Sequence, residues 1–233
     1  MFYHEKVDFG YEDLVVSNSD LGRFYSSPSG DRYPSITTVL GALSKDGIAA
    51  WRARVGEEEA NKISGRASRR GTAVHDILEK YVNNEVIPDD TLPHIKNSYL
   101  KLKPILDKRL SKVYGQEIAL YSDMIQLAGR VDLVGVWDGV PSIIDYKTSR
   151  RPKKKEWCEG YFMQCAFYAI AWEERTGMPT PNIVIVMDVD DHDPIVFIEH
   201  RDNWVKKLEE ANIPVLKLGR AWRGSMHNKF IIG

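Results

Sequence analysis

Cysteine is nearly missing from this chain: among 233 residues there are two, Cys158 and Cys165. Two thiols cannot build a disulfide framework, nor supply the four thiolates of an iron–sulfur cluster. Long apolar runs are missing too. None approaches the roughly 18 residues of a membrane span, so no membrane association is expected. The opening "MFYHEKVDFG" lacks the basic and apolar regions of a secretory leader, which makes the cytoplasm the expected compartment. No GxxxxGK[ST] loop occurs, so no nucleotide cofactor is expected. Net charge is small as well, with 32 basic residues against 33 acidic ones.

What is present is charge segregation. Residues 62–70, "KISGRASRR", hold Lys62, Arg66, Arg69 and Arg70 without an acid. Residues 147–155 hold six basic residues and no acid, and the stretch from Ala211 onward holds four more among Trp222, His227 and Phe230. Acids gather in "DVDDHD" at 188–193. Segregated basic stretches suit a polyanion-binding face, although any one run is equally a solvated surface. "DVDDHD" lacks the glycine and terminal glutamate of a calcium loop and reads as a solvated hairpin turn.

Periodicity gives the framework. Residues 1–34 read as short strands and turns, and 35–110 as a helical region. Within that region lie a helix capped by Ser35, a short helix around Trp51, and helices over 57–84 and 92–109. Residues 111–200 read as a core of strands at 112–121, 126–137 and 141–147, a helix at 156–176, and two further strands. Residues 201–233 read as a helix to about 217 and a basic tail. Helices flanking a strand meander describe a single domain of the mixed α/β class.

The chemistry concentrates in "GRVDLVGVWDGVPSIIDYKTS". Alternation along a strand puts Asp145 and Lys147 on one face, and Arg130 and Asp132 on one face of the strand before. A four-residue turn over 138–141 would set Asp132 roughly opposite Lys147. Two carboxylates brought that close repel unless a cation lies between them. Oxygen ligands with open positions suit Mg²⁺ or Mn²⁺, and a lysine beside such an ion fits phosphodiester hydrolysis. A surface ladder in which Lys147 simply neutralises two acids explains the spacing as well.

Those residues resemble the core of the PD-(D/E)xK nuclease superfamily in its RecB-like form, "GRxD … DYKT". "QCAFYAIAW" is similar to its Q-x3-Y helix, "RRGTAVHDILE" to its GTxxH helix, and "YPSITTVLG" to the opening motif of exonucleases related to the mitochondrial genome maintenance exonuclease and bacteriophage exonucleases. The resemblance runs from about residue 34 to 172. It implies a restriction-endonuclease-like core, a mixed sheet with helices on both faces. It also implies metal ligation by His75, Asp132, Asp145 and the backbone carbonyl of Tyr146, with Lys147 as catalytic lysine. Gln164 and Tyr168 would position the site, and Glu117 is a further candidate acid.

Nucleic acid is the expected partner, held by Arg66, Arg69, Arg70 and Thr72 on the helix and by Ser149, Arg150, Arg151, Lys153, Lys154 and Lys155 after the strand. Trp51 and Trp157 are candidates for stacking on bases, packing being the commoner fate of tryptophan. Gly71, inside a helix, reads as permitting a close backbone approach. The expectation is a Mg²⁺- or Mn²⁺-dependent exonuclease on single-stranded DNA or DNA ends, alongside replication, recombination or repair proteins in a bacteriophage or bacterial setting. A structure-selective endonuclease and a non-cleaving DNA-binding module are the alternatives.

Overall fold

The computed structural model describes residues 1–211. The expected helix beyond Ala211 and the basic tail with Trp222, His227 and Phe230 lie outside the described residues. In chain order the elements are β1 (Tyr3–His4), β2 (Val15–Ser19), β3 (Gly22–Ser26), β4 (Arg32–Pro34), α1 (Ile36–Leu43), α2 (Lys45–Val55), α3 (Glu57–Val82) and α4 (Pro93–Arg109). Then follow β5 (Leu110–Ser122), β6 (Leu127–Trp137), β7 (Val140–Ser149), a 3₁₀ turn (Lys155–Cys158), α5 (Glu159–Thr176), β8 (Asn182–Val189), β9 (Ile195–His200) and α6 (Asp202–Glu210). None of the described helices is long and apolar enough to cross a membrane.

Six strands form one mixed sheet in the order β1-β5-β6-β7-β8-β9, and β2-β3-β4 form a small second sheet. β5, β6 and β7 run antiparallel, whereas β8 lies parallel to β7 because α5 carries the chain back across the sheet. β8 is covered on both faces, which is why "NIVIVMDV" reads as a continuous apolar run rather than an alternation. Helices pack on both faces, giving the mixed α/β architecture that the motifs implied.

Local chemistry explains the helices that matter. Ser35 accepts a hydrogen bond from Thr38 N at 3.0 Å, capping α1 as expected. α3 opens with Glu57, Glu58 and Glu59 near the positive end of its dipole, and buries Ala60, Val74, Ile77, Leu78 and Val82 along one stripe. α5 is buried almost all round, including Phe162, Phe167, Tyr168 and Trp172. At about 1.5–3 kcal/mol for each large apolar side chain, such burial fixes α5 firmly against the sheet. One core cluster lies under α1, α5 and α6, and a second under α3 and α4, so the sheet is a partition between two cores.

The β6–β7 connection departs from the expected four-residue turn. Trp137 pairs with Val140, leaving a two-residue turn of Asp138 and Gly139, both at positive φ (49° and 82°). That geometry matches the right-handed twist of the flanking strands and favours Asp-Gly. The register therefore moves: Leu133 pairs with Ile144, and one step outward Asp132 is level with Asp145 rather than Lys147.

Candidate active site

Three strands bring one acid each to the same level. Gln116 pairs with Leu133 and Ile118 with Val131, which places Glu117 on β5 level with Asp132 on β6. β6 and β7 stop pairing after Leu133 and Ile144, and the freed Tyr146 amide donates to Asp132 Oδ2 at 2.8 Å. The splayed strand ends thus have a side-chain carboxylate where a backbone acceptor would have been. His75 reaches in from α3, with Nδ1 3.5 Å from Asp132 Oδ2.

His75, Glu117 and Asp132 offer one ligand atom each within 4.8 Å of one another. An imidazole nitrogen with hard carboxylate oxygens is a donor set suited to a divalent cation. The electrostatics point the same way. Burial, then the neighbouring charges of Asp132 and Glu79, push the Glu117 carboxyl up to about 7. Glu117 also sits at φ 48°, a left-handed conformation that costs a non-glycine residue about 1 kcal/mol or more. Arg130 holds it there, donating to the Glu117 carbonyl while gripping both carboxylate oxygens of Asp13 at 2.8 Å.

One expected ligand lies outside this cluster of three. Asp145 is not part of the three-residue cluster, because its fully buried carboxylate turns to Lys147, with Nζ 2.5 Å from Oδ2. A buried ammonium demands a counter-ion, and the residue two back on the same strand face supplies it. Burial and the charge of Asp132 push Asp145 up to about 6 against the opposing pull of Lys147. Burial also disfavours the Lys147 charge, but Asp145 and Asp132 outweigh it, so Lys147 is held protonated above its usual range. Asp145 Oδ1 is buried without a hydrogen-bond partner among the described residues. With Glu117 promoted from further acid to cluster member, the residues present fit a divalent cation.

Gln164 and Tyr168 extend this network. Lys147 Nζ donates to Gln164 Oε1 at 3.5 Å, and Gln164 Nε2 donates to the Tyr168 hydroxyl at 3.3 Å. Gly129 makes room for that hydroxyl, since a Cβ there would stand 2.8 Å from Tyr168 Cε1 and 2.9 Å from Oη. The close approach expected at Gly71 is instead ordinary: a Cβ there would meet Thr148 Oγ1 at 3.7 Å.

Among the expected nucleic-acid contacts, Arg66, Arg69, Thr72, Arg150, Arg151 and Lys154 are exposed, while Ser149 and Lys153 are half-buried. Two basic residues have other work. Lys155 pairs with Glu199, and Arg70 pairs with Asp188 and, at 2.8 Å, with Asp190. Asp188 corrects the reading of "DVDDHD" as a solvated turn. Its side chain is fully buried, with Lys101 Nζ at 2.8 Å and Ser98 Oγ at 2.5 Å in addition to Arg70. Tyr161, which no motif singled out, lies with its ring 5.0 Å from Lys147 Nζ and 4.9 Å from Lys153 Nζ. Extending the Gln164–Tyr168 spacing backwards by one more helical step would have found it.

Residues 102–210 match the PD-(D/E)XK nuclease superfamily. The motifs had pointed to that superfamily, and the matched residues include every strand of the site and the Gln164–Tyr168 helix. The chain is also similar to human mitochondrial genome maintenance exonuclease 1, at 26% identity over 52% of this chain and 38% of that protein. It thus spans little more than a third of that relative's length. Among solved structures it is similar to a candidate exonuclease from Eubacterium rectale, with 14% identity, a TM-score of 0.42, and coverage of 70% of this chain and 76% of that one.

Proposed function

We propose that this chain hydrolyses phosphodiester bonds in DNA with the help of Mg²⁺ or Mn²⁺, as an exonuclease on single strands or DNA ends. The observation that carries the reading is the meeting of His75, Glu117 and Asp132 within 4.8 Å, next to the buried Asp145–Lys147 pair. His75, Glu117, Asp132 and Asp145, with the Tyr146 carbonyl, would hold the cation. When bound, such an ion lowers the pKa of coordinated water and offsets charge building on the phosphoryl group.

The chain's own residues account for the rest. Lys147, held protonated, is unsuited to take a proton and suited to stabilise negative charge on a phosphate oxygen or on the attacking water. Asp145 fixes the ammonium from one side and Gln164 from the other, so its position is set before substrate arrives. Tyr168, wholly buried, braces Gln164. Exposed Arg66, Arg69, Arg150 and Arg151 would grip flanking phosphates. A cytoplasmic role in replication, recombination or repair is consistent with this chemistry.

The test is digestion of matched linear and circular single-stranded DNA with Mg²⁺. Linear DNA should disappear while circles persist, and EDTA, Asp145→Asn and Lys147→Ala should each stop the reaction. Cleavage that survives EDTA would dismiss the metal, and unchanged cutting by Asp145→Asn would dismiss the site. Loss of circles would replace the exonuclease assignment with an endonuclease one.

A further inference from the structure

Trp157 is out of place as a packing residue. Its exposure is 65%, whereas Trp137, Trp172 and Trp204 are at most 8% exposed. An indole left in water forgoes about 1.5–3 kcal/mol of burial, so packing against the described residues does not account for its place there. The backbone that carries the ring is nevertheless well held. It rides on the 3₁₀ turn, where Trp157 N donates to the Lys154 carbonyl at 3.0 Å and buried Cys158 pins the turn from beneath. Lys154 Nζ lies 5.8 Å from the ring centroid.

The sequence continues this feature inward. Trp157, Tyr161, Gln164 and Tyr168 follow one another at steps of four, three and four, one face of a helical path. Along it exposure falls from the open Trp157, through half-buried Tyr161 and Gln164, to the fully buried Tyr168. Lys153 joins the path, donating to the Tyr161 hydroxyl at 2.7 Å, while the same Tyr161 ring lies against Lys147. An aromatic ring and two lysines therefore line a direct approach to the catalytic ammonium. Cations for phosphates alternating with a flat ring for a base face is the chemistry of single-strand binding. Bases stacked in the interior of a duplex have no free face to offer that ring.

We propose that Trp157, with Lys153 and Lys154, forms the platform on which an unpaired nucleic-acid strand is held as it enters the site. This deepens the nuclease reading and rests on it for the strand's destination, though not for its binding.

The experiment measures anisotropy of a labelled oligothymidylate of about 15 nucleotides, and of the matching duplex, with the full chain in EDTA. Trp157→Ala should weaken single-strand binding by about 5- to 150-fold and leave the duplex unchanged, while Trp157→Phe restores most of the affinity. Replacing Lys153 and Lys154 together by Ala should lower the salt slope for the single strand by about 1.4, at about 0.7 per phosphate contact. Quenching of tryptophan fluorescence by the oligonucleotide should fade in Trp157→Phe. Wild-type affinity in Trp157→Ala, or equal losses on strand and duplex, would overturn the platform and leave the ring as a contact for another macromolecule. Hydrolysis of bis(p-nitrophenyl) phosphate, too small to span both places, reads the active site separately. If the wild type fails to hydrolyse it yet loses strand binding with Trp157→Ala, the nuclease reading falls and the platform stands.

Discussion

Two acid clusters hang from the same helix and differ in one respect. At one, buried Asp188 meets Arg70, Lys101 and Ser98, so the chain's own cations neutralise it. At the other, Glu117, Asp132 and Asp145 crowd together with Lys147 paired to Asp145 and the His75 imidazole beside Asp132, so among the described residues these acids outnumber the cations that pair with them. The first cluster ties α3 and α4 to the end of β8. The second leaves a place for a cation from solution. An acid cluster becomes structural or functional according to whether the fold supplies its counter-charges.

Substituting the acids tests that contrast most severely. Asp188→Ala takes the buried acid from half-buried Arg70 and Lys101 and should cost about 3 kcal/mol of stability in urea titrations. Asp132→Asn in the other cluster removes a like charge from Glu117 and Asp145 and keeps an acceptor for the Tyr146 amide, so the metal-free fold should change by no more than about 1 kcal/mol. Equal losses at the two positions would erase the distinction.

Swapping cations gives the next largest effect. Lys147→Gln should slow turnover by about 100- to 1,000-fold, the usual loss for one well-placed transition-state donor. Thermal stabilisation by Mn²⁺ should survive, because Lys147 is not a ligand. If Lys147→Gln loses Mn²⁺ stabilisation along with turnover, the division of labour between amine and acids is wrong. Smaller again is Gly129→Ala, whose Cβ must displace the buried Tyr168 ring. It should cost about 1–3 kcal/mol and disturb Gln164, whereas Gly71→Ala should be nearly silent.

The contrast also marks what a sequence can reveal. The α3 stripe, the Ser35 cap, the shared face of Asp145 and Lys147 and the Gln164–Tyr168 spacing are all local, set by the period of one element. The Arg70–Asp188 pair joins residues 118 apart, and no periodicity predicts which cation an acid will meet across that distance. The β6–β7 register depended on whether Asp138 and Gly139 alone made the turn, a choice of backbone angles that moved Asp132 by two residues. Glu117 entered the cluster through a positive φ that its residue type disfavours, so local preference argued against it. The places where local rules failed lie at the site or at the clamp beside it.

Glu117 supplies the finest test, because it should cost stability where it serves function. Its carboxyl titrates near 7 in the fold against an ordinary 4.5. Ionisation is therefore easier in the unfolded chain, so the penalty is absent below about pH 4.5, grows through the interval, and is complete above about pH 7. Glu117→Gln removes that penalty, and after solvent screening the gain should be about 1 kcal/mol at pH 8 in EDTA, vanishing near pH 4.5. Adding Mn²⁺ at pH 8 should reverse the order, since the wild type gains a ligand-bound state that the variant forms poorly. A variant less stable than wild type in EDTA at pH 8 would mean that Glu117 is held by partners rather than strained among like charges, and the cluster would belong with Asp188 as part of the scaffold.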